Sequence, residues 1–229
     1  MSTLSELRTR ARRKVDAVDN DFFSDAEIND YINIGLGELH DLLVSKQEDY
    51  YVRKLSFSLV SAQSDYNFSD IGLTNFYKLL AVDSVQSGNT FRVKRFGFPD
   101  RNKFQADLRL HNSRGYSNYE YAIQEEMIKF IPEPGSSGTI DIYYVPAFKK
   151  LLGDDSKVSD IVALNWEEYA VTVAAIKMRQ KEETPVANLE RDLEKTQARI
   201  EEASRNRDSA EPFGITDETT GILHGFWSS

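Results

Sequence analysis

The chain contains no cysteine, which excludes a disulfide framework, a thiolate zinc site and a cysteine nucleophile. Histidine is nearly as scarce. His40, His111 and His224 are the three among 229 residues, and no two of them share a metal-ligand spacing. No run of 18 apolar residues occurs, so no segment has the length to span a membrane as a helix. The opening MSTLSELRTRARRK carries no apolar stretch behind its positive charges, unlike a secretory signal. A cytoplasm is therefore the expected setting, and the sequon Asn67-Phe68-Ser69 is read as coincidence. Cations are in deficit: 37 Asp and Glu face 28 Lys and Arg, for a net charge of −9. A free-standing DNA-binding protein carries the opposite sign. Catalytic signatures are missing as well, with no Gly-x-Ser-x-Gly elbow, no His-Glu-x-x-His and no P-loop. The acidic pairs Glu125-Glu126, Asp154-Asp155, Glu182-Glu183 and Glu201-Glu202 join neighbours in sequence. Adjacent residues do not face each other on a helix, so these pairs read as solvated charge. The expectation is a protein with no catalytic residue, no metal and no cofactor.

What is present is the stuff of a packed fold: 40% hydrophobic residues, with 13 Phe, 11 Tyr and 2 Trp, too many to leave in a disordered chain. Thr3 and Glu6 have capping-box spacing, and Leu4, Leu7, Ala11, Val15 and Val18 follow at helical intervals. This predicts a helix over about 4–17. Its polar face carries Arg8, Arg10, Arg12, Arg13 and Lys14. Ser24 and Glu27 form a second capping box, Phe23 and Ile28 a hydrophobic staple. An apolar stripe then runs from Ile28 to Leu43. Gly35 and Gly37 interrupt it, each about 1 kcal/mol worse than Ala, which implies a close packing contact or a bend.

From residue 54 the period drops to two. Leu55, Phe57 and Leu59 alternate with serines, the mark of a half-buried strand. Tyr77 to Gln86, the turn Ser87-Gly88-Asn89 and Thr90 to Phe96 read as a hairpin. Pro99 to Leu110 reads as a short helix and His111 to Asn118 as a loop. Tyr119 to Gln124 and Met127 to Ile131 make a second hairpin. Ile140, Ile142 and Tyr144 form a last strand that Pro146 ends. Asn165 and Glu168 have capping spacing before a helix to about 181, whose small Ala174 and Ala175 would permit close packing. Thr184-Pro185 reads as a cap followed by a first-turn proline. Val186, Leu189, Leu193, Thr196, Ile200 and Ala203 then trace a seam of about two and a half heptads, short for a coiled coil. Residues 208–229 have no period, yet they hold Phe213, Ile215, Ile222, Leu223, Phe226 and Trp227. Twenty-two extended residues reach roughly 70 Å. Such a segment reads as an arm that docks on its own fold or on a neighbour.

The expected fold class is α+β: a helical-bundle base built from the N- and C-terminal helices, a small inserted antiparallel β lobe and an extended C-terminal arm. The expected divisions are residues 1–53 and 147–207 for the base, 54–146 for the lobe and 208–229 for the arm. The cationic helix has two readings. Its charges pair with the chain's own acid, or they contact an anionic surface through Arg8, Arg10, Arg12, Arg13 and Lys14.

SELRTRARRKVDAVDNDFFSDAEINDYINIGLGELHDLL resembles the N-terminus of bacteriophage head-to-tail adaptor (connector) proteins of short-tailed and related tailed phages. The likeness is carried by Asp19, Phe23, Ser24, Asp25, Glu27, Ile28, Asn29, Tyr31, Ile32 and Asn33. FYKLLAVDSVQSGNTFRVKRF, GTIDIYYVPAFKKL and WEEYAVTVAAIKMRQKEE extend it over about residues 4–205. The resemblance implies a virion structural protein without catalysis, assembled in the host cytoplasm. It implies a dodecameric ring between the portal and a tail nozzle or tail tube, with tail fibre as a further contact. Genomic DNA would pass through without specific recognition, and no membrane is involved. The arm residues would then contact the portal or a neighbouring subunit. Two other readings stay open: a nucleic-acid-binding accessory protein using the basic helix, and a tail-associated hydrolase with a carboxylate site in the lobe.

Overall fold

The structure, a computed structural model, describes residues 2–17, 22–46, 51–86, 88–97, 99, 116–135, 137–158 and 166–205, with the backbone alone at 116–118 and 205. Helices α1 (Leu4–Lys14) and α2 (Asp25–Lys46) precede seven strands: β1 (Arg53–Ser58), β2 (Asp65–Asn67), β3 (Phe76–Gln86), β4 (Asn89–Arg95), β5 (Tyr116–Gln124), β6 (Met127–Ile131) and β7 (Thr139–Pro146). Helices α3 (Glu167–Lys181) and α4 (Ala187–Arg205) follow.

The helix starts follow from their caps. Thr3 Oγ1 accepts from the Glu6 N–H at 3.2 Å, and the Glu6 carboxylate accepts from the Thr3 N–H at 2.9 Å, which satisfies two orphan donors reciprocally. The helix stops at Lys14, short of residue 17, where Asp16 takes a left-handed φ of 58°. At α2, Ser24 Oγ accepts from the Glu27 N–H at 3.2 Å, and Phe23 and Ile28 are both buried in the helical core. Helix α3 is buried almost all round, from Tyr169 to Ile176 without a break. That is the mark of a central helix, and α1, α2 and α4 all pack on it. Its Asn165 cap lies outside the described residues, and the residue before its first turn, Trp166, makes no side-chain cap. Gly35 explains how closely α2 approaches: a Cβ there would lie 2.8 Å from Ala170 Cα and 2.9 Å from its carbonyl oxygen. Gly37 is different, with only Phe148 at 3.7 Å. The apolar seam of α4 faces inward through Leu189, Leu193 and Ile200, so it is occupied within the chain.

The strands form one sheet in the order β1-β7-β3-β4-β5-β6-β2. All pairs are antiparallel except β4 with β5. Its outermost strands, β1 and β2, are consecutive in the chain and joined by residues 59–64. Six strand spacings laid flat would separate them by about 29 Å. Seven Cα steps reach only about 23–25 Å. The sheet must curl, and it forms a half-barrel. Ring contacts fill its concave side, with Phe57 of β1 5.3 Å from Tyr66 of β2 and Tyr66 5.8 Å from Phe130 of β6.

An α+β composition is present, but the expected helical-bundle base with a small antiparallel lobe is not. Seven strands in one mixed, curled sheet make the sheet a principal framework. The helices do not close on themselves either, since Leu80 of β3 and Val145 of β7 complete their core. Two features of the chain hid this. Strand β2 is three residues long, too short to show a period of two, and the parallel β4–β5 pair requires a crossover that the long link at 96–115 provides. Most of that link, with the helix expected over 99–110, lies outside the described residues. The loop expected over 111–118 gives way to strand from Tyr116.

Candidate functional site

The cationic face of α1 is turned toward carboxylates that other elements bring to it. Arg8 reaches Asp154 at 2.9 Å and Asp25 at 3.4 Å, and only 13% of its side chain is exposed. Arg10 forks onto Glu167 (3.3 Å) and Glu168 (2.6 Å) at the start of α3. Arg12 donates to the Phe23 carbonyl at 2.8 Å and to Asp25 at 3.0 Å. Lys14 bonds Glu168 and, at 2.8 Å, Thr172 Oγ1. Burial pushes Glu168 up, but hydrogen bonds from Lys14 and Arg10 overcome it and hold the carboxyl below its ordinary value. Glu167 is held down in the same way, against burial, by the hydroxyl and N–H of Ser2 and by Arg10. Arg13 is exposed and has no ion-pair partner among the described residues.

A second constellation fixes the chain between β7 and α3. The buried amide of Asn33 accepts from the Leu151 N–H at 2.8 Å and donates to the Leu151 carbonyl at 3.0 Å. The first turn of α1 adds to this, with Leu4 N–H on Ser156 O (3.0 Å) and Ser5 N–H on Asp154 O (3.2 Å). Orphan donors of a helix start thus hold a loop. The clamp leaves Leu152 standing out, 85% exposed.

His40 is buried on α2, with Nε2 3.1 Å from the Pro146 carbonyl and Nδ1 3.4 Å from Asp41. Tyr77 meets its ring edge-on at 5.4 Å. It ties the helical layer to the end of β7. His111 and His224 lie outside the described residues. Among the described residues no three His, Cys, Asp or Glu side chains are grouped to hold a metal ion, and no helix is long and apolar enough to cross a membrane.

On the convex side of the sheet a polar row crosses three strand pairs. Ser56 opposes Asp141, Asp141 opposes Asp83, and Asp83 opposes Arg92. Asp141 accepts from Ser56 Oγ at 2.6 Å and Lys54 Nζ at 2.7 Å. Burial raises Asp141, and these two hydrogen bonds bring it below its ordinary value. Burial raises Asp83 and the Asp141 charge adds to it, while Arg92 opposes. Two like charges directly opposite are unfavourable, and Lys54 and Arg92 flank them as compensation.

Nothing in this set joins a nucleophile, a base and an orienting group. Its ion pairs and clamps fix surfaces in place instead. A family model described as SU10 adaptor protein matches residues 2–214, nearly the whole chain. The chain belongs to that family. A comparison with curated proteins finds no match. Membership of the SU10 adaptor family makes it a bacteriophage adaptor, a virion component that works among other head and tail proteins. A structural family of this kind suggests a role without catalysis.

For this adaptor, sequence reasoning found the five cations of α1 but not their partners. Asp25, Asp154, Glu167 and Glu168 come from three separate parts of the chain. In the sequence Asn33 stands only as part of a family pattern, and Leu152 carries no signal, because exposure is not written in residue type. The arm residues Phe213, Ile215, Ile222, Leu223, Phe226 and Trp227 lie outside the described residues.

Proposed function

We propose that this adaptor assembles as a dodecameric ring between the portal and the tail nozzle or tube, and that genomic DNA passes through the ring. The match to the adaptor family over residues 2–214 carries this reading. In it, helical residues in 1–53 and 147–207 contact ring neighbours, and the strands of 54–146 face tail or fibre components. The arm 208–229 reaches the portal or a neighbouring subunit through its six large apolar residues. Two further observations support it. A net charge of −9 suits a channel along which phosphates slide, since gripping DNA requires free cations. Arg8, Arg10, Arg12 and Lys14 are engaged by the chain's own acids and carbonyls, which leaves Arg13 as the cation of that face to meet an anionic partner surface.

The test is to mix the protein with the portal protein encoded beside it and measure the mass of the complex, with and without residues 208–229. A discrete multi-subunit ring on the portal, weakened by the truncation, is the expected result. A monomer that ignores the portal and binds duplex DNA in a salt-dependent way would overturn it in favour of a nucleic-acid accessory protein.

A further inference from the structure

Strand β1 is the outermost strand at one end of the sheet order. Among the described residues it has a strand neighbour only on its β7 side. Its side chains alternate between exposed and half-buried, with Leu55 and Phe57 at the rim of the sheet's core. An edge of this kind presents unpaired N–H and C=O groups, and proteins cover or charge such edges. Lys54, the residue suited to guard it, is drawn onto Asp141 at 2.7 Å.

The described chain ends beside Lys46, seven residues before β1. The last helix, α4, stops at Arg205, and one turn earlier Glu201 pairs with Lys46 at the end of α2 at 3.2 Å. Tyr51, two residues before β1, is buried in the same helical core as Ile200. From Arg205 to Phe213 there are eight Cα steps, a reach of about 26–29 Å. A six-residue strand spans about 20 Å. Beyond the proline at 212 the sequence reads Phe213-Gly214-Ile215-Thr216-Asp217, with apolar residues at alternate positions. Laid antiparallel to β1, it sets Phe213 opposite Phe57, Ile215 opposite Leu55 and Asp217 opposite Arg53. Arg53 has no ion-pair partner among the described residues. Apolar pairs and an opposite-charge pair thus fall in one register.

We propose that residues 213–217 add a strand to the outer edge of β1 in the same molecule. Main-chain hydrogen bonds supply the attachment and the alternate apolar side chains its register. The proposal rests on the reading of 208–229 as a docking arm and sharpens it. The near half of the arm is pinned to its own sheet, and the far half, from Ile222 to Trp227, is aimed outward at the portal or neighbour.

The absence of cysteine makes the test clean. In the isolated full-length protein, Ser56→Cys with Gly214→Cys should oxidise to an intramolecular disulfide. It should form at least tenfold faster than in the off-register pair Ser56→Cys with Thr219→Cys. Hydrogen exchange on cysteine-free full-length protein gives a second readout. The β1 amides facing away from β7 should be protected. Ile215→Pro, which removes a donor, should speed their exchange at least tenfold and leave β7 amides unchanged. Cross-links between molecules, equal rates for the two pairs, or fast-exchanging β1 amides in the unaltered chain would each overturn the proposal. Portal binding is measured separately on the same variants. Loss of the strand with portal binding intact overturns this inference alone, and loss of portal binding with the strand present overturns the arm's outward role alone.

Discussion

Phe57 and Tyr66 belong to the two outermost strands of a seven-stranded sheet, yet their ring centroids lie 5.3 Å apart. The contact closes the concave side of the half-barrel. The Tyr66 hydroxyl strengthens it by accepting from the Val60 N–H at 2.8 Å, inside the short link that forces the curl.

A double-mutant cycle on this pair, Phe57→Leu and Tyr66→Leu, should give a coupling of about 0.5–1.5 kcal/mol in denaturant unfolding. Tyr66→Phe should cost about 1 kcal/mol, from the lost acceptor for Val60. Additive effects within about 0.3 kcal/mol would mean that the rings are neighbours without being partners.

The two glycines of α2 should respond with opposite signs. Gly35→Ala places a methyl 2.8 Å from the Ala170 backbone, and overpacking of this kind costs about 1–3 kcal/mol. Gly37→Ala meets an ordinary contact at 3.7 Å from Phe148 and should gain up to about 1 kcal/mol of helix propensity. Thermal unfolding of the two variants side by side decides it.

Asn33→Ala should strand the N–H and C=O of Leu151, both of which the amide now satisfies. Leaving buried polar groups unpaired should cost more than about 2 kcal/mol. Proteolysis within 147–158 should accelerate in parallel. An unchanged cleavage rate would show that the α1 contacts to Asp154 and Ser156 hold the loop alone.

The acid side of the pH profile follows from four depressed carboxylates, Glu27, Glu167, Glu168 and Asp141. Glu27 lies below its ordinary value of 4.5 because of hydrogen bonds from Lys181 and Tyr31, and Glu167 and Glu168 lie below it for the reasons given above. A depressed folded-state value means the stabilisation is present above the unfolded value and is lost as pH falls through the folded one. Stability should therefore be level from pH 7 to about 5 and fall below about 4.5. Asp83, raised above 3.8, works in the opposite sense and softens the fall. Glu168→Gln should flatten the decline in urea midpoints. Solvent contact of Glu168 limits how far, with 46% of its side chain exposed.

Residue spacing is enough to set the helix starts and the cationic face. Thr3–Glu6 and Ser24–Glu27 bond as their spacing requires, because a cap involves residues three apart and little else. The alternation in β1 and the hairpin turns at Gly88 and Glu125 were legible for the same reason. Residue pattern and family likeness also placed the chain among phage adaptors. The remaining features arise only when distant segments pack together. Asp154, which pairs with Arg8, and Glu168, which pairs with Arg10, lie about 150 positions away in the chain, and no periodicity encodes a pairing at that distance. Strand order was equally hidden, since β7 pairs between β1 and β3. The closeness of Gly35 to Ala170 was foreseeable only as a kind of contact, without its partner. Short-range hydrogen bonds are written in spacing, whereas sheet order and ion pairing depend on which surfaces meet when the whole chain buries its apolar area.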